Sequence, residues 1–158
     1  MAHTLGWLAI IPLVLLPLAG CDSGSQPQQR PLALPERLEK PHVTDQAQAG
    51  GLHLALWDDG GGCKLQVGQT EPSIWLKPMA PCYFMLAAGG QRAQVFRHNK
   101  TTLVMAVLGT PAKGKHCGQE VQGLIINGGV KPSTYIMQGS VYCAEQGLQN
   151  FQYDLLAK

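Results

Sequence analysis

Short apolar stretches separated by glycine-rich turns run through the chain from residue 51 to its end. The pattern is clearest at the start, where leucines alternate with other residues over 52–57 and apolar residues alternate again over 63–67. The segment between them, residues 58–62, consists of aspartate and glycine, which are typical turn residues. Alternation places one side of a strand against a core, so the sequence predicts a β-hairpin here.

Further segments with the composition of strands follow, punctuated by glycine and proline. They span residues 73–76, 83–87, 93–97, 102–108, 121–126, 134–137, 140–143 and 151–155. Asn127-Gly128 favours a tight hairpin turn, since both residue types accept a positive φ. No segment of the domain keeps a helical apolar period over three turns. The predicted fold class is therefore all-β, a small antiparallel sandwich or barrel over residues 51–158.

Residues 102–108 are apolar on both faces, which predicts a central strand. They could instead line a cofactor or lipid pocket with other apolar side chains, but core packing is the favoured interpretation. Those other side chains are Trp75, Met79, Phe84 and Met85. Trp57 and Trp75 are also candidates for carbohydrate stacking, although aromatic residues of small β-domains mostly fill interiors. Both tryptophans are accordingly assigned to the interior.

The N-terminus carries an apolar run from Leu5 to Gly20, which is 16 residues long. Spanning a membrane takes about 20 residues, and two prolines interrupt the run, so a transmembrane anchor is disfavoured. The segment Leu18-Ala19-Gly20-Cys21 resembles the lipobox of bacterial lipoproteins, a resemblance that covers residues 1–21. It implies that residues 1–20 are a signal peptide and that Cys21 becomes the first mature residue. In this family the cysteine thiol receives a diacylglycerol and the new amine is usually acylated as well.

The resemblance also implies a location. Two or three acyl chains on Cys21 would make attachment to a membrane effectively permanent. We therefore expect a protein of the bacterial cell envelope that is anchored to a membrane and faces the periplasm. Asp22 resembles the retention signal of enterobacterial inner-membrane lipoproteins, which slightly favours the inner over the outer membrane.

Composition separates residues 21–50 from the rest of the mature chain. Four prolines, five glutamines and few large apolar residues follow Cys21 in this stretch. A segment that cannot bury a core is typical of a tether. As a coil it would reach roughly 30 Å, which predicts a domain held off the bilayer.

Four cysteines remain once Cys21 is assigned to the lipid. They are Cys63, Cys82, Cys117 and Cys143. An even number in an oxidising compartment favours disulfides, and the absence of a C-x-x-C pair argues against a zinc site or a thioredoxin-like redox centre. Three pairings are possible. The sequential one, which joins the first to the second and the third to the fourth, is the pairing that we favour.

Catalytic patterns are sparse in the sequence. His116-Cys117 suggests a thiol nucleophile, but adjacent side chains in an extended chain point in opposite directions. Asp58 and Asp59 could act as acid and base or bind calcium, yet adjacent acids in a glycine-rich turn are usually solvated turn residues. His53, His98 and His116 have no spacing that predicts a metal site. The sequence thus assigns no catalytic residue, no metal ligand and no cofactor.

Charge gives a sharper indication of a partner. No acidic residue occurs between Pro72 and Gln119. The basic residues of this interval are Lys77, Arg92, Arg97, Lys100, Lys113 and Lys115. If Arg92, Arg97, Lys100, Lys113 and Lys115 converge, they would form a positive face that attracts an acidic protein, anionic headgroups or an envelope polymer. An acidic protein of the envelope is the partner that we favour. The alternative is that the strands distribute them over different faces. The expected location outside the cytoplasm and the small charge excess argue against nucleic acid as a partner.

Two classes of function follow from these features. The first is a lipid-anchored protein-binding module of the envelope, such as an inhibitor, an immunity or surface-exclusion protein, or an accessory subunit. The second is a small periplasmic hydrolase or metal-dependent enzyme whose site cannot be identified from the sequence. A disulfide-stapled β-domain of this size has room for an interface of standard area, so binding is the favoured hypothesis.

Overall fold

The computed structural model describes residues 40–158, which contain ten strands, one 3-10 turn and one α-helix. The strands are β1 (His42–Ala49), β2 (Leu52–Asp59), β3 (Gly62–Val67), β4 (Ile74–Met79), β5 (Tyr83–Phe84), β6 (Phe96–Arg97), β7 (Leu103–Pro111), β8 (Cys117–Ile126), β9 (Val130–Met137) and β10 (Tyr142–Cys143). The 3-10 turn is Ala144–Gln146 and the helix, α1, is Asn150–Leu156.

The strands form two antiparallel sheets, which confirms the predicted fold class. The first sheet has the order β1-β2-β3-β4. The second sheet has the order β10-β8-β7-β5, with β6 also pairing with β7 and β9 also pairing with β8. The sheets stack face to face as a sandwich, and residues 40–158 form no closed barrel.

Alternation of apolar side chains builds the main core between the sheets. Leu54 and Leu56 of β2 and Leu65 of β3 point inward from the first sheet and are almost completely buried. Met105 and Val107 of β7 meet them from the second sheet. Burying a leucine contributes about 1.5–3 kcal/mol, so this layer is a main source of the domain's stability.

The second sheet is covered on its other side as well. Val104, Ala106 and Leu108 of β7 face away from the first sheet and pack against Tyr153 and Leu156 of α1. The strand is therefore buried on both faces, which confirms its prediction as a central strand. The domain has three layers: first sheet, second sheet and C-terminal segment.

The C-terminal layer is held by a side chain that the sequence did not single out. Gln94 accepts a hydrogen bond from the backbone N–H of Leu148 at 2.9 Å and donates to the carbonyl of the same residue at 3.0 Å. Its Oε1 also accepts the hydroxyl of Tyr153 at 3.0 Å. Burial raises the pKa of Tyr153, so this hydroxyl stays protonated and donates.

Glycine conformations close the predicted hairpins. Asp59 pairs with Gly62 across a two-residue turn in which Gly60 and Gly61 have φ values of 62° and 85°. Positive φ at both central residues is the geometry of a type I′ turn. The predicted hairpin at Asn127-Gly128 also forms, but its loop has three residues and only Gly128 has a positive φ.

The folded domain begins before residue 51, where the sequence placed its boundary. β1 starts at His42 and pairs with β2 along most of its length. Its composition resembles a linker because it is an edge strand whose core-facing side chains are small, chiefly Ala47 and Ala49. The rest of the predicted linker, up to residue 39, lies outside the described residues. So do the predicted signal peptide and Cys21.

The strand predicted at 151–155 is wrong, because these residues belong to α1. The prediction arose because Phe151, Tyr153 and Leu155 alternate with polar residues, as the apolar side chains of a strand do. In the helix, the buried pair is instead Tyr153 and Leu156, three residues apart, and Phe151 is 61% exposed. Seven residues are too few for a helical period to be evident in the sequence.

Two disulfides are present with the sequential pairing. Cys63 and Cys82 are joined inside the main core, with Cα atoms 6.1 Å apart. Cys117 and Cys143 join β8 to β10, with Cα atoms 4.0 Å apart. Loops of this length stabilise a fold by about 3 kcal/mol each in the chain-entropy model.

Candidate binding surface

The face of the first sheet that points away from the core is open to solvent along its described residues. We call it the outer face. Its side chains are those of Val43, Gln46, Gln48, His53, Ala55, Trp57, Asp59, Lys64, Gln66, Trp75, Lys77 and Met79. The second sheet, by contrast, is covered on one side by the first sheet and on the other by α1.

Trp75 is the largest exposed apolar side chain of this face. It is 57% exposed, and Met79 on the same strand is 58% exposed. The ammonium group of Lys64 lies 4.1 Å from the centre of the Trp75 ring and also pairs with the carboxylate of Asp59. A Cβ atom at Gly62 would collide with the Trp75 ring, so the absence of a side chain there makes room for the indole. The indole is therefore both exposed and held in place.

The expectation that Trp57, Trp75 and Met79 fill the interior is wrong. In β4 the inward positions are taken by Leu76 and Pro78, so the alternating residues Trp75, Lys77 and Met79 point outward. Trp57 lies between the inward-facing residues of β2 and is partly buried on the outer face. Phe84 and Met85, assigned to the core for the same reason, are buried.

Edge strand β4 is positioned by side chains of the second sheet. The backbone N–H of Lys77 donates to Oε1 of Gln122 at 2.8 Å, and Nε2 of Gln122 donates to the carbonyl of Ser133 at 2.8 Å. The backbone N–H of Met79 donates to the hydroxyl of Thr110 at 3.0 Å. These bonds fix the strand that carries Trp75. Gln122 is only 3% exposed. Its position inside the apolar run 121–126 is the sequence feature that could have identified it as a buried hydrogen-bonding residue.

Beside Trp57 the outer face contains a cleft of about 460 Å³. We call it the amide cleft because Gln46, Gln48 and Gln66 line it, together with His53 and Trp57. The indole N–H of Trp57 donates to Oε1 of Gln66 at 2.9 Å. Nε2 of Gln48 lies 3.2 Å from Nδ1 of His53. These two hydrogen bonds orient the side chains of Gln66 and Gln48.

The structure does not gather the predicted basic residues on one surface. Arg97 and Lys100 lie just before β7, and the Arg97 guanidinium donates to the carbonyl of Lys100 at 3.3 Å. Lys113 and Lys115 follow the other end of β7, and this strand spans roughly 25 Å at about 3.3 Å per residue. Arg92 lies in a turn that closes on Ala87 and contacts the 3-10 turn. The length of β7 therefore separates Arg97 and Lys100 from Lys113 and Lys115.

The candidate catalytic and metal-binding residues are also separate. Cys117 is in a disulfide, so it is no free nucleophile in this structure. Asp58 accepts the backbone N–H of Gly61, which is the turn role expected for it. His53 lies on β2, whereas His98 follows β6 and His116 lies in the turn before β8. No cluster of three or more His, Cys, Asp or Glu side chains occurs within residues 40–158.

Two of these histidines pair with carboxylates of the C-terminal segment. Nδ1 of His98 lies 3.0 Å from Asp154, and Nδ1 of His116 lies 3.0 Å from Glu145. The hydrogen bond from His116 lowers the pKa of Glu145, aided by that residue's own backbone N–H and by the charges of His116 and Lys115. Each pair connects a residue of the C-terminal layer to a loop of the second sheet, which indicates a structural role for His98 and His116.

Comparisons with protein-family models, curated proteins and solved structures give no match to this chain. Within residues 40–158, no helix has the length and hydropathy needed to cross a membrane. The outer face is therefore characterised by its own chemistry, an ordered indole beside an amide-lined cleft.

Proposed function

We propose that this protein is a lipid-anchored binding module of the bacterial cell envelope. Cys21 carries the lipid, and the sandwich domain faces the periplasm and binds a protein partner through the Trp75 side of the outer face. The anchor rests on the lipobox-like segment at residues 18–21, and the binding role rests on the exposed indole.

The ordered exposure of Trp75 is the observation that carries the binding role. A tryptophan truncated at an interface hot spot typically costs 2 kcal/mol or more, roughly 30-fold in Kd. Lys64 and Gly62 already restrict the ring, so less side-chain freedom is lost on binding. Met79 adds a second exposed apolar group on the same strand, and methionine is enriched at interfaces.

The basic residues support an acidic partner. Residues 40–158 carry ten Lys and Arg against seven Asp and Glu, a net charge of +3. Long-range attraction does not need the charges to touch the partner, because the field of the whole domain steers the encounter. Arg97 and Lys100 at one end of β7, and Lys113 and Lys115 at the other, are the groups that we assign to steering.

Affinity capture from solubilised envelopes tests the binding role. Wild type should retain a discrete partner, Trp75→Ala should lose it, and Phe151→Ala should retain it. Phe151 is the matched control because it is an aromatic residue of similar exposure, 61%, on α1. Equal capture by the two variants would contradict the proposal.

The acidic character of the partner has its own test. Reversing Arg97 and Lys100 to Glu should slow association with the captured partner, most strongly at low salt, because exposed charges are screened beyond about 8 Å at physiological ionic strength. Lys158→Glu reverses an exposed charge at the C-terminus and serves as the control. Association rates that do not depend on salt would refute the steering role.

The anchor is tested separately. Cys21→Ser should release the protein from the membrane fraction or leave it unprocessed, and it should abolish acyl labelling. Unchanged membrane retention together with unchanged labelling would refute the lipoprotein assignment.

A further inference from the structure

We propose that the amide cleft is a binding site for a neutral oligosaccharide. The cleft lies over β1, β2 and β3. The exposed side chains of Trp75 and Met79, with Lys64 beside Trp75, lie over β3 and β4 and form the protein-binding patch. The inference goes beyond the protein-binding role and does not depend on it.

The dimensions of the cleft fit a small ligand. Its volume of about 460 Å³ falls within the range of roughly 300–1,000 Å³ typical of ligand sites. Trp57 and the backbone of Gly68 form part of its lining. An indole is a flat apolar surface against which the C–H face of a pyranose ring packs.

The absence of formal charge in the lining selects for a neutral ligand. The ten lining residues include no Asp, Glu, Lys or Arg. Asp59 and Lys64 pair with each other and lie, with Glu71, around a second cleft that also contacts Trp57. A phosphate, carboxylate or ammonium group in the cleft would leave water without gaining an opposite charge.

The lining presents donors and acceptors side by side. Oε1 of Gln66 is occupied by the Trp57 indole, which leaves the two protons of its Nε2 to donate. Nε2 of Gln48 can only donate, so Nδ1 of His53 accepts and Nε2 of that ring carries the proton. The carbonyl oxygen of Gln48 remains an acceptor. Sugar hydroxyls both donate and accept, so adjacent hydroxyls match this arrangement.

An apolar ligand fits the same lining poorly. Covering the amides of Gln46, Gln48 and Gln66 with hydrocarbon would remove their water without replacing its hydrogen bonds. The hydrogen bonds from Trp57 to Gln66 and between Gln48 and His53 keep these side chains oriented before a ligand arrives, which lowers the cost of binding. The chemistry of the cleft therefore favours a polyhydroxylated, uncharged molecule.

A titration followed by nuclear magnetic resonance tests the proposal on the folded protein. The probes are two neutral trisaccharides, maltotriose and triacetylchitotriose, and the charged trimer trigalacturonate. We expect at least one neutral probe to shift the indole N–H signal of Trp57 and the side-chain amide signal of Gln66 in a saturable way, with a Kd on the order of 1 mM. The indole signal of Trp75 should move less than that of Trp57.

Variants locate the site. Gln66→Leu should weaken binding about tenfold, since tenfold corresponds to roughly 1.4 kcal/mol, within the range of one net hydrogen bond. Gln119→Leu on β8 is the control, because Gln119 is exposed and lies on the second sheet. Thermal melting confirms that both variants fold. Trp75→Ala should bind the sugar like wild type, which separates this site from the protein-binding patch.

Three results would overturn the proposal. The first is that neither neutral probe shifts the Trp57 and Gln66 signals at roughly ten times the expected Kd. The second is that the Gln66 and Gln119 variants bind the neutral probe with equal affinity. The third is that trigalacturonate binds as tightly as the best neutral probe. Saturable binding that Gln66→Leu alone weakens, with the charged trimer weaker, establishes the site.

Discussion

Gly123→Ala tests how the third layer is attached. A Cβ atom added at Gly123 would meet backbone of α1, with the carbonyl carbon of Leu156 at 3.0 Å and the carbonyl oxygen closer still. No side-chain rotation relieves a contact with backbone, so the helix must move away from β8. Gly123 does not have a positive φ, so the effect is steric and not conformational.

The size of the effect follows from what the helix buries. Overpacking a well-packed core costs about 1–3 kcal/mol. Complete detachment of α1 would forfeit the burial of Tyr153 and Leu156, about 3–6 kcal/mol, which sets the upper limit. For a domain of this size, 1 kcal/mol corresponds to roughly 4 °C, so we expect the melting temperature to fall by about 4–12 °C.

Calorimetry and hydrogen exchange of the α1 amides measure the two consequences. The control is Gly129→Ala, because Gly129 has no atom within 4 Å of an added Cβ and no positive φ. The Gly123 variant should melt at lower temperature and exchange its α1 amides faster, while the control stays within about 0.5 kcal/mol of wild type. Equal melting temperatures for the two variants would show that α1 does not pack closely against Gly123.

Three further predictions concern the hydrogen bonds, the pH dependence and the disulfides. Gln122→Leu should lower the free energy of unfolding, measured by urea denaturation, by about 1–3 kcal/mol, because two backbone groups lose their hydrogen-bond partner. The control Gln119→Leu, at an exposed position, should change it by less than about 0.5 kcal/mol. The pKa of Glu145 is lowered in the fold, so its stabilising contribution is present above the pKa of the unfolded chain's glutamate and is lost as the pH falls through the folded value. Urea midpoints from pH 7 down to about pH 3 should therefore decline less for Glu145→Gln than for wild type, and parallel declines would refute the pairing with His116. Alkylation of the unreduced protein followed by mass spectrometry should find none of the four domain cysteines modified, and a modified cysteine would contradict the two disulfides.

The elements that the sequence predicted well are those whose signal is local. Alternating leucines in β2 fix which side is buried, and Gly60-Gly61 supplies the turn to β3. Residues 102–108 are apolar on both faces because β7 is covered by a sheet on one side and a helix on the other. In each case, the pattern within a few residues contains the reason for the structure.

The missed elements depend on contacts between distant residues. β1 is polar and becomes a strand because β2 provides a pairing edge, and α1 is a short helix because its two buried side chains fit the second face of the second sheet. The outward direction of Trp75 depends on which residues of β4 face inward. The separation of the basic residues depends on the length of β7, which composition does not show.

Cross-linking from the outer face in living cells tests the central claim, which is that this face meets a partner in the envelope. A photoreactive residue is introduced by Trp75→p-benzoylphenylalanine, with Phe151→p-benzoylphenylalanine as the control of similar exposure. We predict a discrete, light-dependent cross-linked protein from position 75 and none of the same mass from position 151. The same products from both positions, or no product from position 75, would contradict the claim.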